Sequence, residues 1–285
     1  MRFPIKLNRD GFPSWCCKCL PCKGDPRKLM VPETCGDSFE FSISAIKIGE
    51  TWKSTQKKRH ILSDRLIVGA ASSLSMPSVL EIGASSGSTS MELLDSLGNN
   101  YGHYYVTDLY FELRCVTRDG VTYLYHPNTG ECIMRVTDRF LIYNEVGNAL
   151  FPQGMIANRL IKRAPQISAI DTSTVNFLHP ELRRRIASDT RIIATTHNVL
   201  EPWPHELLDI VKVANVLNRL YFSDEQIMKA LMSLKVSMKP EGKLVITDNR
   251  EVEMASMFCR NRDGKFALET EINGGTEIAD LVKRC

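Results

Sequence analysis

The chain has 285 residues, of which 43% are hydrophobic and 24% are charged, with a formal net charge of +3. This length allows one large domain, or one domain with a substantial appendage, and the composition is typical of a soluble globular protein. No apolar run approaches the roughly 18 residues that a membrane-spanning helix needs, and the first ten residues lack the apolar core of a secretory signal. The sequence therefore predicts a cytoplasmic protein without a transmembrane segment.

Charge is distributed unevenly along the chain. Residues 1–70 carry 13 Lys and Arg against 7 Asp and Glu, net +6, which leaves the other 215 residues with a net charge of −3. The later part therefore lacks the basic surplus of a nucleic-acid groove, and a nucleic-acid partner is not expected. The basic front segment is interpreted either as a contact for an acidic partner or membrane surface, or as a solvated face.

Five of the nine cysteines lie within the first 35 residues. Cys16, Cys19 and Cys22 are spaced C-x-x-C-x-x-C, and Cys17 or Cys35 could supply a fourth thiolate for tetrahedral zinc. Zinc sites usually use two well-separated pairs, and no histidine lies nearby, so the match is incomplete. Three interpretations stay open: a zinc site, an S-acylated basic tail that contacts a membrane, and a loosely ordered, reduced tail.

Composition divides the chain near residue 40. Residues 1–40 are rich in Pro, Gly, Cys and basic side chains, and we expect a tail with little regular structure there. Residues 41–285 are expected to form the main domain. Apolar positions between Ser42 and Ser72 predict one or two helices before its first core strand.

The central stretch of the sequence predicts a strand, a tight turn and a helix. Val79–Ile82 is typical of a buried strand, Gly83–Ser88 of a small-residue turn, and the following residues of an amphipathic helix that ends before Gly98. Glycines allow a close approach of the backbone to a ligand, and the N–H groups at a helix start favour polar or negative groups. This stretch is therefore a candidate ligand-binding corner.

The spacing of its glycines separates this turn from two common phosphate-binding loops. It contains neither G-x-G-x-x-G nor G-x-x-x-x-G-K-[ST], since Gly83 and Gly87 are separated by three residues and no lysine follows. It has instead Glu81 two residues before Gly83. A second predicted strand, His103–Asp108, ends in an acid at the point where dinucleotide folds hold ribose hydroxyls.

A long segment separates this second strand from the next convincing one, Arg191–Thr195. A crossover between parallel strands needs only about a dozen residues and short loops, so residues of about 110–190 are predicted to form an inserted subdomain. Its predicted elements are a hairpin of Val121–Tyr125 and Cys132–Thr137, a strand at Phe140–Tyr143, and helices at Leu150–Ile170 and Pro180–Ser188. The insertion is interpreted as a substrate-binding element or as a stabilising decoration.

The last hundred residues continue the alternation of strands and helices. His197 lies in the loop after the third strand and is expected to be solvated. The predicted elements that follow are a strand opened by Asp209, a loop over Asn215–Tyr221, a helix begun by the capping box Ser223–Gln226 and ended by Lys239–Gly242, a strand at Lys243–Asp248, and a hairpin of Glu253–Cys259 and Lys265–Ile272.

The pattern from Glu81 to Gly87, closing a Val/Leu/Ile strand, resembles motif I of the class I methyltransferases that use S-adenosylmethionine. The run from Asp209 to Asp248 is similar to motifs IV to VI of that family. Its Asn-Val-Leu…Tyr-Phe sequence resembles that of chemotaxis-receptor methyltransferases. The resemblance covers about 79–109 and 191–250. It implies a doubly wound, seven-stranded, Rossmann-like α/β sheet, with the β-hairpin and helical insertion between the second and third core strands.

The resemblance also implies a set of site residues. Asp108 would bind the ribose hydroxyls, Asn198 would accept from the adenine amino group, and Ser85 stands where many members have glycine. The full set implied for the cofactor is Glu81, Gly83, Ala84, Ser85, Gly87, Asp108, Asn198, Val199 and Asn215. Near the expected methyl position lie Asn218, Arg219, Tyr221 and Arg250, the candidate acceptor contacts. No residue is identified as a catalytic base, and no metal is implied for the reaction.

The function implied is therefore transfer of a methyl group from S-adenosylmethionine to a small-molecule or protein acceptor. Two alternatives remain at this stage. A non-catalytic member could bind the cofactor or a partner through the same fold, with its Cys-rich tail for attachment. A nicotinamide-dependent oxidoreductase is disfavoured because the second glycine of G-x-G-x-x-G is missing.

Overall fold

The computed structural model describes residues 4–32, 34, 36–49, 51–53, 57–144, 152–167 and 172–285. Its strands are β1 (Ile5–Asn8), β2 (Cys22–Lys23), β3 (Lys47–Ile48), β4 (Thr51–Trp52), β5 (Ser78–Ile82), β6 (His103–Asp108), β7 (Glu112–Arg118), β8 (Val121–Tyr125), β9 (Cys132–Val136), β10 (Phe140–Tyr143), β11 (Ser173–Asn176), β12 (Ile192–Thr196), β13 (Leu208–Ala214), β14 (Met238–Asn249), β15 (Glu253–Arg260) and β16 (Phe266–Ile272). Its helices are α1 (Ser14–Cys19), α2 (Gly36–Ile43), α3 (Ile61–Ser72), α4 (Ser88–Leu97), α5 (Pro152–Ile161), α6 (Pro180–Ser188), α7 (Asp224–Ser237) and α8 (Ala279–Arg284).

The chain divides into two compact units, each built from two separate stretches. Unit 1 combines Met1–Thr55 with Tyr110–Pro180, and unit 2 combines Gln56–Leu109 with Glu181–Cys285. The sequence analysis placed a boundary near residue 40 and an insertion over about 110–190. The structure instead joins the front segment and the segment after Leu109 in a single unit, and assigns residues from Glu181 onward to the other unit.

Unit 2 contains a seven-stranded mixed sheet in the order β12-β6-β5-β13-β14-β15-β16. The first five strands of this order are parallel, and β15 runs antiparallel to both of its neighbours. The prediction of an α/β fold with a mixed sheet is confirmed. Because the strand that follows β12 in the chain pairs on the far side of β5, the winding direction of the sheet reverses between β5 and β13.

Helices cover both faces of this sheet. Leu80 and Val211 point to one face and pack in a buried cluster with Ile227 and Leu231 of α7. Side chains alternate between faces along a strand, so Lys212 points to the opposite face, where it meets α3. The unit is therefore doubly wound.

Helix α7 begins as the sequence predicts. The Ser223 hydroxyl accepts from the Gln226 N–H at 3.3 Å, and the Ser223 N–H donates to the Gln226 side chain at 3.0 Å. This reciprocal pair satisfies two N–H groups that a helix start leaves without partners. The helix ends at Ser237, and Lys239–Gly242, predicted as its end, already belongs to β14.

Unit 1 contains a second seven-stranded sheet in the order β11-β7-β8-β9-β10-β1-β2. The predicted hairpin of β8 and β9 and the strand β10 are confirmed. The predicted helix over Leu150–Ile170 is shorter, since α5 spans Pro152–Ile161, while residues 150, 151 and 168–170 fall outside the described residues. A buried cluster with Phe39 and Ile43 of α2 fills one face of the sheet, and a second cluster with Ala157 and Ile161 of α5 fills the other.

The expectation of little regular structure before residue 40 is wrong. Strand β1 pairs antiparallel with β10, with Ile5 opposite Ile142, and the Asn8 side chain donates to the Thr137 carbonyl at 2.9 Å. A short strand is stabilised by its cross-strand partner, and here that partner lies far away in the sequence. The local composition therefore carries no signal for it.

Among the helices of the described residues, none has the length and apolar character needed to cross a membrane.

The start of α3 is fixed by a carboxylate from β15, which gives a test of the packing. Glu253 accepts from the Leu62 N–H at 2.9 Å, the Ser63 N–H at 2.8 Å and the Ser63 hydroxyl at 2.7 Å. We expect Glu253→Ala to lower the free energy of unfolding by about 1–2 kcal/mol, since it removes a helix cap. Urea unfolding measures it, with the exposed Glu251→Ala as control. Equal effects of the two variants would contradict the capping role.

Candidate functional site

Most of the implied site residues lie at one edge of the unit 2 sheet. Strand pairing places Ile82 opposite Thr107, Thr196 opposite Asp108, and Ala214 opposite Thr247. The carboxyl ends of five parallel strands therefore meet at this edge, which we call the carboxyl edge. Ligands of open α/β sheets bind there, at the point where the winding reverses.

The turn after β5 adopts the conformation that its glycines allow. Gly83 and Gly87 have φ of +83° and +74°, a region that other residues rarely adopt. A Cβ on Gly83 would lie 2.2 Å from the Val216 side chain, and one on Gly87 would lie 2.1 Å from Leu182. Gly83 thus lets the turn after β5 pack directly against the turn after β13, across the point of reversal.

The turn is held by the end of β6. The N–H groups of Gly83 and Ala84 both donate to the Thr107 carbonyl, at 2.9 and 3.0 Å. The Ser85 N–H donates to a carboxylate oxygen of Asp108 at 2.8 Å. Two implied cofactor contacts, Ser85 and Asp108, are therefore bonded to each other.

Ser85 departs from the conformation that an L-residue prefers. Its φ is +57°, so the serine stands in the left-handed region where glycine would be unstrained. Its hydroxyl is buried and has no hydrogen-bond partner among the described residues. Serine at this position therefore carries both a backbone cost and an unpaired polar atom, each of which has to be offset elsewhere.

Asn215 connects the ends of β13 and β14. Its N–H donates to the Thr247 carbonyl at 2.8 Å, and its side-chain oxygen accepts from the Asn249 N–H at 2.7 Å. Its φ is also positive, at +57°. The structure thus uses this side-chain oxygen to join two loops, and not to face solvent.

The loop after β12 contains one unexpected histidine. The His197 N–H donates to the Asp108 carbonyl at 3.0 Å, and its ring packs edge-on against Trp203 with centroids 5.2 Å apart. Burial lowers the pKa of His197, and its Nε2 is buried without a partner among the described residues. The expectation of a solvated side chain is wrong, because Trp203 folds back over the loop.

Asn198 and Val199 differ in what they offer a ligand. The Asn198 side-chain oxygen accepts from the Leu200 N–H at 3.1 Å within its own loop. The Val199 side chain is buried in the apolar cluster of unit 2. A direct contact of Val199 with a cofactor would therefore use its main chain.

Glu81 belongs to a buried charge network beneath the turn. Its carboxylate lies 3.0 Å from the Lys212 Nζ and accepts from the Tyr104 hydroxyl at 2.7 Å. Lys212 also donates to Asp64 of α3 at 2.8 Å. Glu81 is 1% exposed and Lys212 is 0% exposed. The Glu81 side chain is thus engaged beneath the turn, which it positions from below.

The network shifts the titration of its members in different directions. Burial acts to raise the pKa of Glu81, but the charge of Lys212 and the hydrogen bonds that the carboxylate accepts, among them that from Tyr104, together outweigh it and leave the pKa below its usual value. Burial raises the pKa of Asp64 to about 6. Burial, with the nearby charge of Lys212, lowers the pKa of His60 to about 3. Asp64 also lines a groove of about 530 Å³ beside α3 and α4.

The network is the part of the site that the sequence analysis missed. Lys212 stands in the middle of an apolar strand, which is a signal in itself, because a buried cation needs a paired anion. Its partners Glu81 and Asp64 come from a neighbouring strand and from a helix, and only the fold brings them together. A lysine within Leu208–Ala214 is therefore a signal for a buried acid, although it does not identify which one.

The candidate acceptor residues are held to different degrees. Arg219 donates to Asp224, to Asp280 and to the main-chain carbonyl of Glu277, and Arg250 forms an ion pair with Glu277. The Asn218 side chain accepts from the Leu220 N–H at 3.1 Å. These bonds fix the loop after β13, which presents Leu220 and Tyr221 to solvent at 90% and 46% exposure.

The cysteines of the front segment are placed only in part. Cys16 and Cys19 lie on α1, Cys22 lies on β2, and Cys35 falls outside the described residues. Within the described ranges no group of three or more candidate ligands could hold a metal ion. Burial, with a hydrogen bond to Cys17, raises the pKa of Cys22 to about 11.

The carboxyl edge has the polar groups that a nucleoside-containing cofactor would use. Buried polar atoms without partners among the described residues include the Ser85 hydroxyl, His197 Nε2 and the Asn249 side-chain oxygen. They follow or end three different strands at this one edge. Buried polar groups are normally paired, so these atoms leave hydrogen-bonding capacity unused at the carboxyl edge.

Ser85 supplies the first test of this geometry. We expect Ser85→Gly to raise the free energy of unfolding by about 1 kcal/mol, because it removes backbone strain and an unpaired hydroxyl. Asn215→Gly is the matched control: it relieves the same strain but loses the bond to the Asn249 N–H, so no gain is expected. Thermal and urea unfolding measure both. A loss of stability in Ser85→Gly would show that the hydroxyl is needed by the fold.

Lys212 supplies the second test. We expect Lys212→Met to lower the free energy of unfolding by about 3–5 kcal/mol, since it leaves two carboxylates buried without a cation. The partly exposed pair of Lys239 and Asp209, 2.8 Å apart, provides the control, and Lys239→Met should cost about 1 kcal/mol.

The stability difference between the wild type and Lys212→Met depends on pH, and the pKa of Glu81 sets its direction. In the wild type the lowered pKa of Glu81 stabilises the folded protein at pH values above the ordinary pKa of a carboxyl group. This contribution is lost as the pH falls below that value towards the lowered pKa. Without Lys212 the pKa of Glu81 is raised, and its protonation stabilises the variant at low pH. The stability gap between the two proteins should therefore shrink from pH 8 to pH 4. A gap that is constant over this range would contradict the network.

Comparison with solved structures gives similarity to proteins that bind S-adenosylmethionine or its product. The chain is similar to the trans-methyltransferase CalH in complex with SAH (13% identity, TM-score 0.35, covering 65% of this chain and 35% of CalH). It is similar to the N-methyltransferase NodS from Bradyrhizobium japonicum with S-adenosyl-L-homocysteine (15%, 0.34, 75% and 74%), and to LepI with SAM (15%, 0.33, 74% and 35%).

The chain therefore spans only about a third of the length of CalH and LepI. No protein-family model matches the sequence. No curated protein matches it either.

Proposed function

We propose that this protein is an S-adenosylmethionine-dependent methyltransferase that acts on a small-molecule or protein acceptor. One observation carries the proposal. The turn after β5, with Gly83 and Gly87 at positive φ, lies at the point where the sheet reverses its winding, beside an acid that ends β6. That is the place and the chemistry that a nucleoside cofactor requires.

Each loop of the carboxyl edge has a separate part in holding the cofactor. The main chain of Gly83–Gly87 would pass along its methionine portion. Asp108 would accept from the ribose hydroxyls: a carboxylate has about four lone-pair positions, so its bond to the Ser85 N–H is compatible with further bonds. Asn198 would accept from the adenine amino group, and Asn215 would position the loop that closes the site.

Bound S-adenosylmethionine would supply an activated sulfonium methyl group. The protein then has to hold the acceptor in line with that methyl and to exclude water, a contribution of proximity and orientation. The anchored loop after β13 fits this task, because Arg219 fixes it to the segment of Glu277 and Asp280. Fixed loops lose little entropy when an acceptor binds.

The acceptor contacts follow from the same loop. Tyr221 and Leu220 are presented at the tip, and Arg250 lies after β14 at the same edge. We propose that Asn218 shapes this loop through its bond to the Leu220 N–H, while Tyr221 and Arg250 contact the acceptor. A carboxylate acceptor would need no proton acceptor on the protein, whereas an amine or hydroxyl would need to lose a proton.

Calorimetry with S-adenosylhomocysteine tests the proposal on the full chain. We expect micromolar binding by the wild type, and at least about tenfold weaker binding by Asp108→Ala, since hydrogen bonds to a charged group contribute about 1.5–3 kcal/mol. Asp263→Ala is the control, because Asp263 lies in the β15–β16 turn at the opposite edge of the sheet. The front segment has to be retained, since β1 belongs to the sheet of unit 1.

The outcomes separate the two candidate functions. Binding that Asp108→Ala weakens, together with methyl transfer from labelled S-adenosylmethionine to a component of a cell extract, supports the enzyme. The same binding without transfer to any component supports a non-catalytic cofactor-binding protein of this fold. Absence of binding by the wild type would overturn both.

A further inference from the structure

Helix α5 of unit 1 leaves a basic and apolar face exposed. Gly154, Ala157 and Ile161 are buried against the sheet. At 3.6 residues per turn, Met155, Ile156 and Arg159 fall within one arc of about 100° on the opposite side, and the exposed Lys162 and Arg163 follow in the turn directly after the helix. We call these five residues the α5 face. Met155 and Ile156 are 63% and 54% exposed, so the two apolar side chains project from the first turns of the helix and the three cations lie at and just beyond its end.

The α5 face contains three cations and no acid. Residues 152–167 contain three basic residues and no Asp or Glu. None of Arg159, Lys162 and Arg163 forms an ion pair with any residue that the structure describes. The arginines of α6 behave differently, since Arg185 pairs with Asp95 at 2.6 Å and with Glu181 at 3.5 Å.

We propose that the α5 face docks the protein on an anionic lipid surface. Basic residues near an anionic leaflet are attracted to it, and adjacent bulky apolar side chains enter the boundary between headgroups and acyl chains. A nucleic acid would use the three cations but would gain nothing from exposing Met155 and Ile156 beside them. The proposal does not rest on methyl transfer.

Vesicle co-sedimentation of the full chain tests this proposal. The probe is vesicles of phosphatidylcholine with or without phosphatidylserine, at low and high salt. We expect binding only with phosphatidylserine, weakened by salt because the Debye length shortens. Lys162→Glu with Arg163→Glu should weaken binding at least about thirtyfold, since each basic residue near such a surface contributes about a fivefold factor. Met155→Ser with Ile156→Ser should also weaken it.

Matched controls distinguish this face from other surfaces. Met232→Ser with Val236→Ser removes two equally exposed apolar residues from α7 and should leave binding unchanged. Trp15→Ser removes the exposed tryptophan of α1, the other candidate membrane contact of unit 1. Circular dichroism of every variant checks that the fold is retained.

Three results would overturn the proposal. The first is no binding of the wild type to phosphatidylserine vesicles. The second is vesicle binding that Trp15→Ser abolishes and the α5 variants retain. The third combines two observations: the protein binds a 20-base-pair nucleic-acid duplex through Lys162 and Arg163, and vesicle binding is unchanged in Met155→Ser with Ile156→Ser. That result would assign the α5 face to nucleic acid.

Discussion

A single buried lysine fixes the geometry on which the candidate site depends. Lys212 stands opposite Glu81 in the pairing of β13 with β5 and also bonds Asp64 of α3. Burying an ion costs several kcal/mol of desolvation unless it is paired with good geometry. A slip of β13 against β5, or of α3 against the sheet, would break the pairing and leave this cost uncompensated. The network therefore specifies one register for three elements at the point of reversal.

The position of the turn that follows Glu81 depends on this register. Gly83 comes two residues later, and its missing side chain allows contact with Val216 on the next loop. From the other side, the Thr107 carbonyl and the Asp108 carboxylate accept from three successive N–H groups of the turn. The turn is thus held from below by an ion network and from the side by the end of β6. A pre-formed turn of this kind loses little entropy when a ligand binds.

The features that local sequence could predict are those with local causes. The capping box of α7, the hairpin of β8 and β9, and the strand that ends in Asp108 each follow from residues within a few positions of one another. The pairing of Ile5 with Ile142 does not, and neither does the contact of Lys212 with Asp64. His197 is half-buried because Trp203, six residues later in the same loop, packs against its ring. The residues directly beside His197 do not indicate this packing. For Ser85, the positive φ is imposed by its bond to Asp108 and by the glycines on either side.

Charge also differs between the two units, although less sharply than between the first 70 residues and the rest of the chain. Unit 1 carries 16 Lys and Arg against 12 Asp and Glu, a net charge of +4, whereas unit 2 carries 20 against 21. Half of the basic surplus of the first 70 residues, the net +3 of residues 1–55, lies with the cations of α5 in unit 1, because β1 and β2 belong to the same sheet as β7–β10. The other half, the net +3 of residues 56–70, belongs to unit 2. The near-neutral unit contains the carboxyl edge and its unpaired polar atoms. A basic unit suits a charged surface partner, and a near-neutral one suits a buried cofactor, so the separation of charge is consistent with a division of the two tasks between the units.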